Sequence, residues 1–412
     1  MRHFYGILLA SKTNPRIIHQ QLPVMPMKIL RLLALAIAGT SLYGSFANAQ
    51  TVATDPVGFL QPFEAPSPAP SVPNLLANAD TPVSIPFTRP PEFVGSISSV
   101  SGNTITVSGT PWTANQFVFN PAGSPAQHNH YYALIGPGTS NPKDGHAYPI
   151  TANGTNTLTV DTTQDNLTGI PASSQVLVIP NWTLGTVFPA SDANVSYTPT
   201  TATRTFKTQI FIPNYSAPGI NQAFSTIYFY SNNVNNSTNN VGWRVFGDNT
   251  TSHDDDPLLP DGYFVVRNQN GAPAGTLTTL GSVLTKKFAI PLVTSATAQQ
   301  DNSVAMIRPV DVALSDTGLN TADGSFVATT ATRNFGDQLL LLNPPVSNKP
   351  AVTIYFYSNN VNNTTNNVGW RIFGDNTTPH DGDLIPAGSA IIIRKAKTAN
   401  GATVYWNNAP TY

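Results

Sequence analysis

Residues 226–251 read TIYFYSNNVNNSTNNVGWRVFGDNTT, and residues 353–378 read TIYFYSNNVNNTTNNVGWRIFGDNTT. Only Ser237/Thr364 and Val245/Ile372 differ. The flanks match more loosely, as in TATRTF from Thr201 against TATRNF from Thr330. The chain therefore carries two copies of one unit, and such a repeat sets the architecture before any local reading does. In each copy TIYFY is a β-branched and aromatic run, and GWRVF or GWRIF follows after an Asn-rich connection. Apolar runs of this length bounded by Asn and Gly read as strands joined by turns. Ile227 and Phe229 face one side of their strand and Tyr228 and Tyr230 the other. That pattern predicts a sandwich core with an aromatic outer side.

Outward from this segment, each copy gains a strand before it (FKTQIFIP; FGDQLLLLN) and one after it (YFVVR; AIIIR). The first copy is expected over 190–307 and the second over 308–412. Residues 93–189 alternate with period two in short runs such as NTITVSG, AYPIT, NTLTVD and QVLVIP. Their spacing of about ten residues, with Asn153-Gly154 and Asp144-Gly145 as turn formers, predicts a small barrel-like domain. Residues 50–92 hold ten prolines. Proline fixes φ and removes a donor, so an extended segment is expected, docked through Phe59 and Phe63, with APSPAPSVP as a semi-rigid spacer. The expected fold class is thus all-β: a small barrel-like domain followed by two homologous β-sandwich-like repeats.

Residues 1–49 read as a secretory signal peptide. Lys28 and Arg31 precede the apolar stretch Leu32 to Ala38, and Ala47-Asn48-Ala49 offers a small-residue cleavage site before Gln50. The logic begins at Met25 or Met27, which are the expected true starts. A membrane anchor needs about 20 apolar residues, and this stretch is about half that, so no transmembrane segment is expected. Export through the Sec pathway follows, to the periplasm, the cell surface or the medium.

The whole chain has 20 basic and 21 acidic residues, and 1–49 contains five of the basic ones and no acidic one. The exported form would carry a net charge of −6, without the basic footprint that nucleic-acid binding requires. There is no cysteine, so stability must come from packed cores, and thiol chemistry is excluded.

Candidate chemistry lies in three groups of residues. Tyr228, Tyr230 and Trp243, with Tyr355, Tyr357 and Trp370, adjoin amides and carboxylates. Flat rings beside directional polar groups suit a sugar, unless the tryptophans are core residues. Asp248, Asp254, Asp255 and Asp256, with Asp375, Asp381 and Asp383, follow the two GWR segments. Clustered oxygens of this kind can hold Ca2+, although Asp and Asn are also ordinary turn formers and no cofactor is required. Arg244 and Arg371 are expected to pair with these Asp loops. His128 and His130 alternate on one strand and His146 follows, a set that could gather a transition metal or merely line a loop. No G-x-S-x-G elbow, P-loop or dinucleotide fingerprint occurs.

Several stretches carry a family resemblance: TVATDPVGF, VSGNTITVSGTPWTANQFV with YPITANGTNTLTVD, IPNWTLGTVFP, QQDNSVAMIRPVDVALSDTGL and the closing IIIRKAKTANGATVYWNNAPTY. Together they resemble a family of secreted, β-rich repeat proteins found mainly in the Verrucomicrobia. The resemblance covers essentially all of the chain after residue 50. It implies an exported β-rich protein and carries over no catalytic residue. The long Asn-rich connections depart from that family's shorter loops. The expectation is a non-enzymatic structural or interaction protein of the cell envelope or extracellular matrix, its partner a glycan or further copies of itself. The alternatives are a carbohydrate-binding module pair and a secreted hydrolase.

Overall fold

The computed structural model describes residues 56–62, 73–234, 240–319, 321–331, 334–342, 352–361 and 367–410. The signal-peptide region, most of the APSPAPSVP stretch with Phe63, and the middles of both Asn-rich connections lie outside the described residues.

The chain is nearly all β, and the sheets reveal how the copies are assembled. Copy 1 is a five-stranded antiparallel sheet built from Val241–Val245, Phe224–Asn232, Thr208–Pro213, Tyr263–Asn268 and Asp80–Ser84, in that spatial order. Copy 2 repeats it with Val368–Ile372, Val352–Asn359, Gln338–Leu342, Ala390–Lys395 and Gln300–Ala305. Smaller ribbons also correspond. Val57–Leu60 pairs with Thr279–Ser282, as Phe288–Val293 pairs with Thr403–Asn408. Trp182–Thr183 pairs with Pro257–Leu258, as Val312–Ala313 pairs with Leu384–Ile385.

This pairing corrects two expected boundaries. Strand Gln300–Ala305 belongs to copy 2, so a border at 307/308 cuts through that copy. Strand Asp80–Ser84 belongs to copy 1, so the segment expected to stand apart over 50–92 contributes an edge strand to that copy. Leu75, Val83, Ile85 and Phe87 are buried in copy 1's core. Phe59, by contrast, is exposed. The prolines are compatible with strand Asp80–Ser84 because it is an edge strand, where a missing N–H is tolerated.

The barrel is an insertion into copy 1. Arg89-Pro90 and Trp182 bracket it, where copy 2 runs directly from Arg308-Pro309 to Val312. Its six strands close in the order Phe93–Ser101, Thr104–Val107, Thr157–Val160, Ala147–Asn153, Tyr131–Ile135 and Gln175–Pro180. Closure leaves no free sheet edge. First and last strands are neighbours, Phe93 opposite Val178, so the insert leaves its host where it entered. Alternation explains the fully apolar run YYALI. Tyr131, Ala133 and Ile135 fill the barrel, while Tyr132 and Leu134 point outward onto copy 2 beside Phe288 and Ile290.

The two five-stranded sheets meet through the faces opposite their own cores. Phe211, Tyr263 and Val265 of copy 1 pack with Ala390 and Ile392 of copy 2. The backbone contacts are reciprocal: Ser84 N–H donates to Gly388 O (2.9 Å) and Ala305 N–H to Asp261 O (2.8 Å). Corresponding edges each grip the other copy's turn, the pattern of an isologous dimer joined in one chain.

The aromatic assignment of strand Phe224–Asn232 is reversed. Tyr228 and Tyr230 point into copy 1's own core with Trp243. Ile227 packs toward the inter-copy face, and Phe229 lies against Phe206. The strand is apolar on both sides because both sides are covered.

Candidate functional site

The near-identical segments build the same constellation twice. Trp243 and Trp370, 0% and 2% exposed, are core residues. Trp243 donates its indole N–H to Phe188 O at 3.1 Å and sits among Phe188, Tyr197 and Tyr230. Trp370 packs on Phe326 and Tyr357. Tyr230 is buried in copy 1 and Tyr357 partly buried in copy 2. Neither Trp243 nor Trp370 therefore offers a ring face to a sugar, and the stacking arrangement expected around these two tryptophans is not formed.

Tyr228 and Tyr355 have a different role. The Tyr228 hydroxyl donates to Asp256 Oδ2 at 2.7 Å, and His253 Nδ1 meets the same oxygen at 2.9 Å. Tyr355, Asp383 and His380 repeat this at 3.1 and 2.9 Å. Burial, and then the carboxylate beside it, pushes Tyr355 up to about 12 and Tyr228 further still. Phenols held this far above neutrality act as hydrogen-bond donors and are poor nucleophiles or bases. The triad ties the Asp-rich loop to the second strand of the sheet.

Apart from Asp255, the remaining carboxylates each serve a separate piece of backbone. Asp254 accepts from Trp243 N–H and Asp381 from Trp370 N–H, both at 3.0 Å. Asp248 and Asp375 close their turns by accepting from Thr250 and Thr251, and from Thr377 and Thr378. Those bonds hold both below the usual carboxylate range. Calcium needs six to eight oxygens turned toward one point. These point at different donors, and among the described residues no group of three or more His, Asp or Glu side chains could hold a metal. The Asp loop instead covers the outer edge of the sheet. The backbone of Trp243 gives its N–H to Asp254 and its carbonyl to His253 N–H. An edge so occupied is closed to strand addition. Gly242 and Gly369 permit the approach: both sit at φ +122°, and a Cβ there would lie 2.7 or 2.8 Å from the Asp254 or Asp381 carboxylate. Of the two arginines, Arg371 reaches Asp381 at 3.8 Å, while Arg244 bonds Asn240 and the Trp243 and Val241 carbonyls.

The three histidines do not converge. His128 meets Asp255 at 2.7 Å, His130 stacks on Phe119, and His146 meets Asp165 at 2.6 Å.

The last contact belongs to a group that sequence reading missed. Asp165 also accepts from Tyr148 at 2.7 Å and from Lys143, while Tyr405 of copy 2 lies against the His146 ring. Asp165 is partly desolvated, yet these three donors hold it below its ordinary value. Burial outweighs the Asp165 contact and lowers His146, leaving a neutral imidazole at pH 7. Nearby, Asp261 is pushed up to about 6 by burial. A signal for Asp261 does exist in the chain: copy 1 turns on Pro260-Asp261-Gly262 where copy 2 turns on Pro386-Ala387-Gly388.

Among the described residues no helix is long and apolar enough to cross a membrane. No protein-family model, no curated protein and no solved structure matches the chain.

Proposed function

We propose that this chain is a non-enzymatic structural or interaction protein, exported to the cell envelope or its surroundings, in which two copies present one contact surface twice. The supporting observation is a matched pair of exposed apolar spots. Val241 and Phe246, 47% and 57% exposed, lie at the edge of copy 1, and Val368 and Phe373, 49% and 55% exposed, hold the same places in copy 2. Phe246 rests against Phe206 and Phe373 against Phe335, at ring-centroid distances of 5.3 and 5.2 Å. An exposed aromatic steadied by a neighbour offers contact area at low entropic cost, as interface anchors do. Core packing alone does not demand this identity. The neighbouring strands have drifted, Ile210-Phe211 against Leu339-Leu340, and still fill their cores. Two equal contacts on one body give avidity toward a repetitive partner, whether a polymer or further copies of the chain. Because the Asp loop occupies the outer edge, such contacts would use side chains rather than strand addition.

The test compares wild type with Phe246→Ser, Phe373→Ser and the double variant, by sedimentation velocity and on a glycan array with calcium or EGTA. Paired use predicts that each single change weakens association or binding at least tenfold and that the double change abolishes it. Variants indistinguishable from wild type in both assays, or turnover of a polysaccharide on the array, would overturn the proposal.

A further inference from the structure

Where the barrel, the Leu259–Gly262 turn of copy 1 and the Phe288–Val293 strand of copy 2 meet, they enclose a hollow of about 290 Å³. Its walls are largely apolar and aromatic, with Phe288, Leu259, Pro291 and Tyr405 among them. A second hollow of about 750 Å³ shares Gln164, Leu259, Asp261 and Pro291, so Asp261 stands between the two. We infer that the smaller hollow binds a compact organic cation, an ammonium on an apolar body, with Asp261 as its counter-ion and the Tyr132 hydroxyl as a hydrogen-bond acceptor.

Three independent observations carry this. First, Asp261 has no cationic partner among the described residues. Its surface is open only in part, and burial without a counter-charge explains its raised proton affinity. The turn itself does not need the carboxylate, since copy 2 forms it with Ala387. Second, Tyr132 is 4% exposed and lines the hollow, yet its hydroxyl has no hydrogen-bond partner among the described residues. Buried polar atoms are rarely left this way, and each such case asks for a missing partner. Third, the charge of the walls favours a cation. Asp161, Asp165 and Asp261 line the hollow, and the only basic side chain among its lining residues is His146, which is neutral at pH 7. Lys143 is engaged by Asp165 and Lys287 by Asp144. A ring or short alkyl body would fill the apolar part of the hollow, where pockets of this size bury most of a small ligand.

The probe is benzylammonium, with benzyl alcohol as its neutral counterpart, titrated calorimetrically into the full chain at pH 7.5. Saturable binding of benzylammonium, at least tenfold tighter than of benzyl alcohol, is expected. Asp261→Asn should remove that preference. Tyr132→Phe should weaken benzylammonium several-fold with no loss of thermal stability, since no described residue pairs with the hydroxyl. Lowering the pH toward 5 should weaken binding as Asp261 gains its proton. Burial holds His146 below its ordinary value, Asp161 and Asp165 stay ionised, and Tyr132, Tyr148, Tyr215 and Tyr405 stay neutral. The Asp261→Asn comparison at constant pH therefore decides. No saturable binding at pH 7.5, or a cation preference unchanged in folded Asp261→Asn, would overturn the inference.

Discussion

Lys395 and Asp337 form a fully buried ion pair in copy 2, their side chains 1% and 0% exposed. The same two positions in copy 1 are Asn268 and Thr208, where the Thr208 hydroxyl donates to Asn268 Oδ1 at 2.8 Å. One architecture thus solves one buried site with charges and with a neutral pair. Asp337 Oδ2 accepts from Val327 N–H at 2.7 Å, as Thr208 Oγ1 accepts from Thr198 N–H at 2.9 Å. Lys395→Asn alone strands a carboxylate with two backbone donors, from Val327 and Ala396. Asp337→Thr alone strands an ammonium with only the Ser325 carbonyl. Breaking a buried pair from one side costs about 3–5 kcal/mol. The double change Asp337→Thr/Lys395→Asn restores the arrangement of copy 1 and forfeits chiefly the charge-assisted bond to Ala396, about 1.5–3 kcal/mol. The coupling energy should therefore exceed roughly 3 kcal/mol. Urea unfolding of wild type, both single variants and the double variant closes the cycle. A double variant no more stable than the weaker single would refute the idea that the copies are interchangeable here, and with it the accounting of buried charge.

Three further outcomes follow from the same physics. The folded Asp261 carboxyl sits near 6 rather than at 3.8, so its proton stabilises the fold below about pH 4 and that stabilisation is gone above about pH 6; Asp261→Asn should thus exceed wild type by roughly 2–3 kcal/mol at pH 7.5 and match it at pH 4, and a constant difference in thermal scans would refute this. Trp243→Ala should cost about 3–5 kcal/mol because it empties the core of copy 1, seen as a lower urea midpoint; undiminished stability would restore the tryptophan as a surface binder. Arg394→Ala should destabilise more than Arg267→Ala, about 3–5 against about 1 kcal/mol, because the Asp301 side chain is 2% exposed and Asp80 24%; equal shifts in urea midpoint would contradict it.

How much was legible beforehand differs by element. The barrel strands were readable because their alternation is local and two of their hairpins close within a few residues, at Gly102-Asn103 and Asn153-Gly154. The copies were readable because identity over a long segment needs no structural inference. Their borders were not, because copy 1 is interrupted: Asp80–Ser84 pairs with Tyr263–Asn268 across the whole barrel insert. The candidate carboxylates of the repeats were visible as residues but misread in role. Their proximity in sequence suggested convergence, whereas each turns to its own partners: backbone N–H groups for Asp248, Asp254, Asp375 and Asp381, Tyr and His side chains for Asp256 and Asp383, and His128 for Asp255. The junction hollow was not visible at all, since Tyr132, Asp165, Asp261 and Tyr405 come from four distant parts of the chain.

Period-two patterning, the duplicated segment and the absence of cysteine determined from sequence alone that this is a β protein of two copies and a barrel, held by its cores. Those properties depend on neighbours along the chain, and neighbours are what a sequence records. Which face of TIYFY is inside, which copy owns Gln300–Ala305, and which carboxylate faces the hollow were decided only by the tertiary structure. A strand apolar on both sides is equally content facing either way until something covers it. Here the second copy covers one face and the copy's own core the other, and the same packing leaves Asp261 facing the hollow beside an unsatisfied Tyr132.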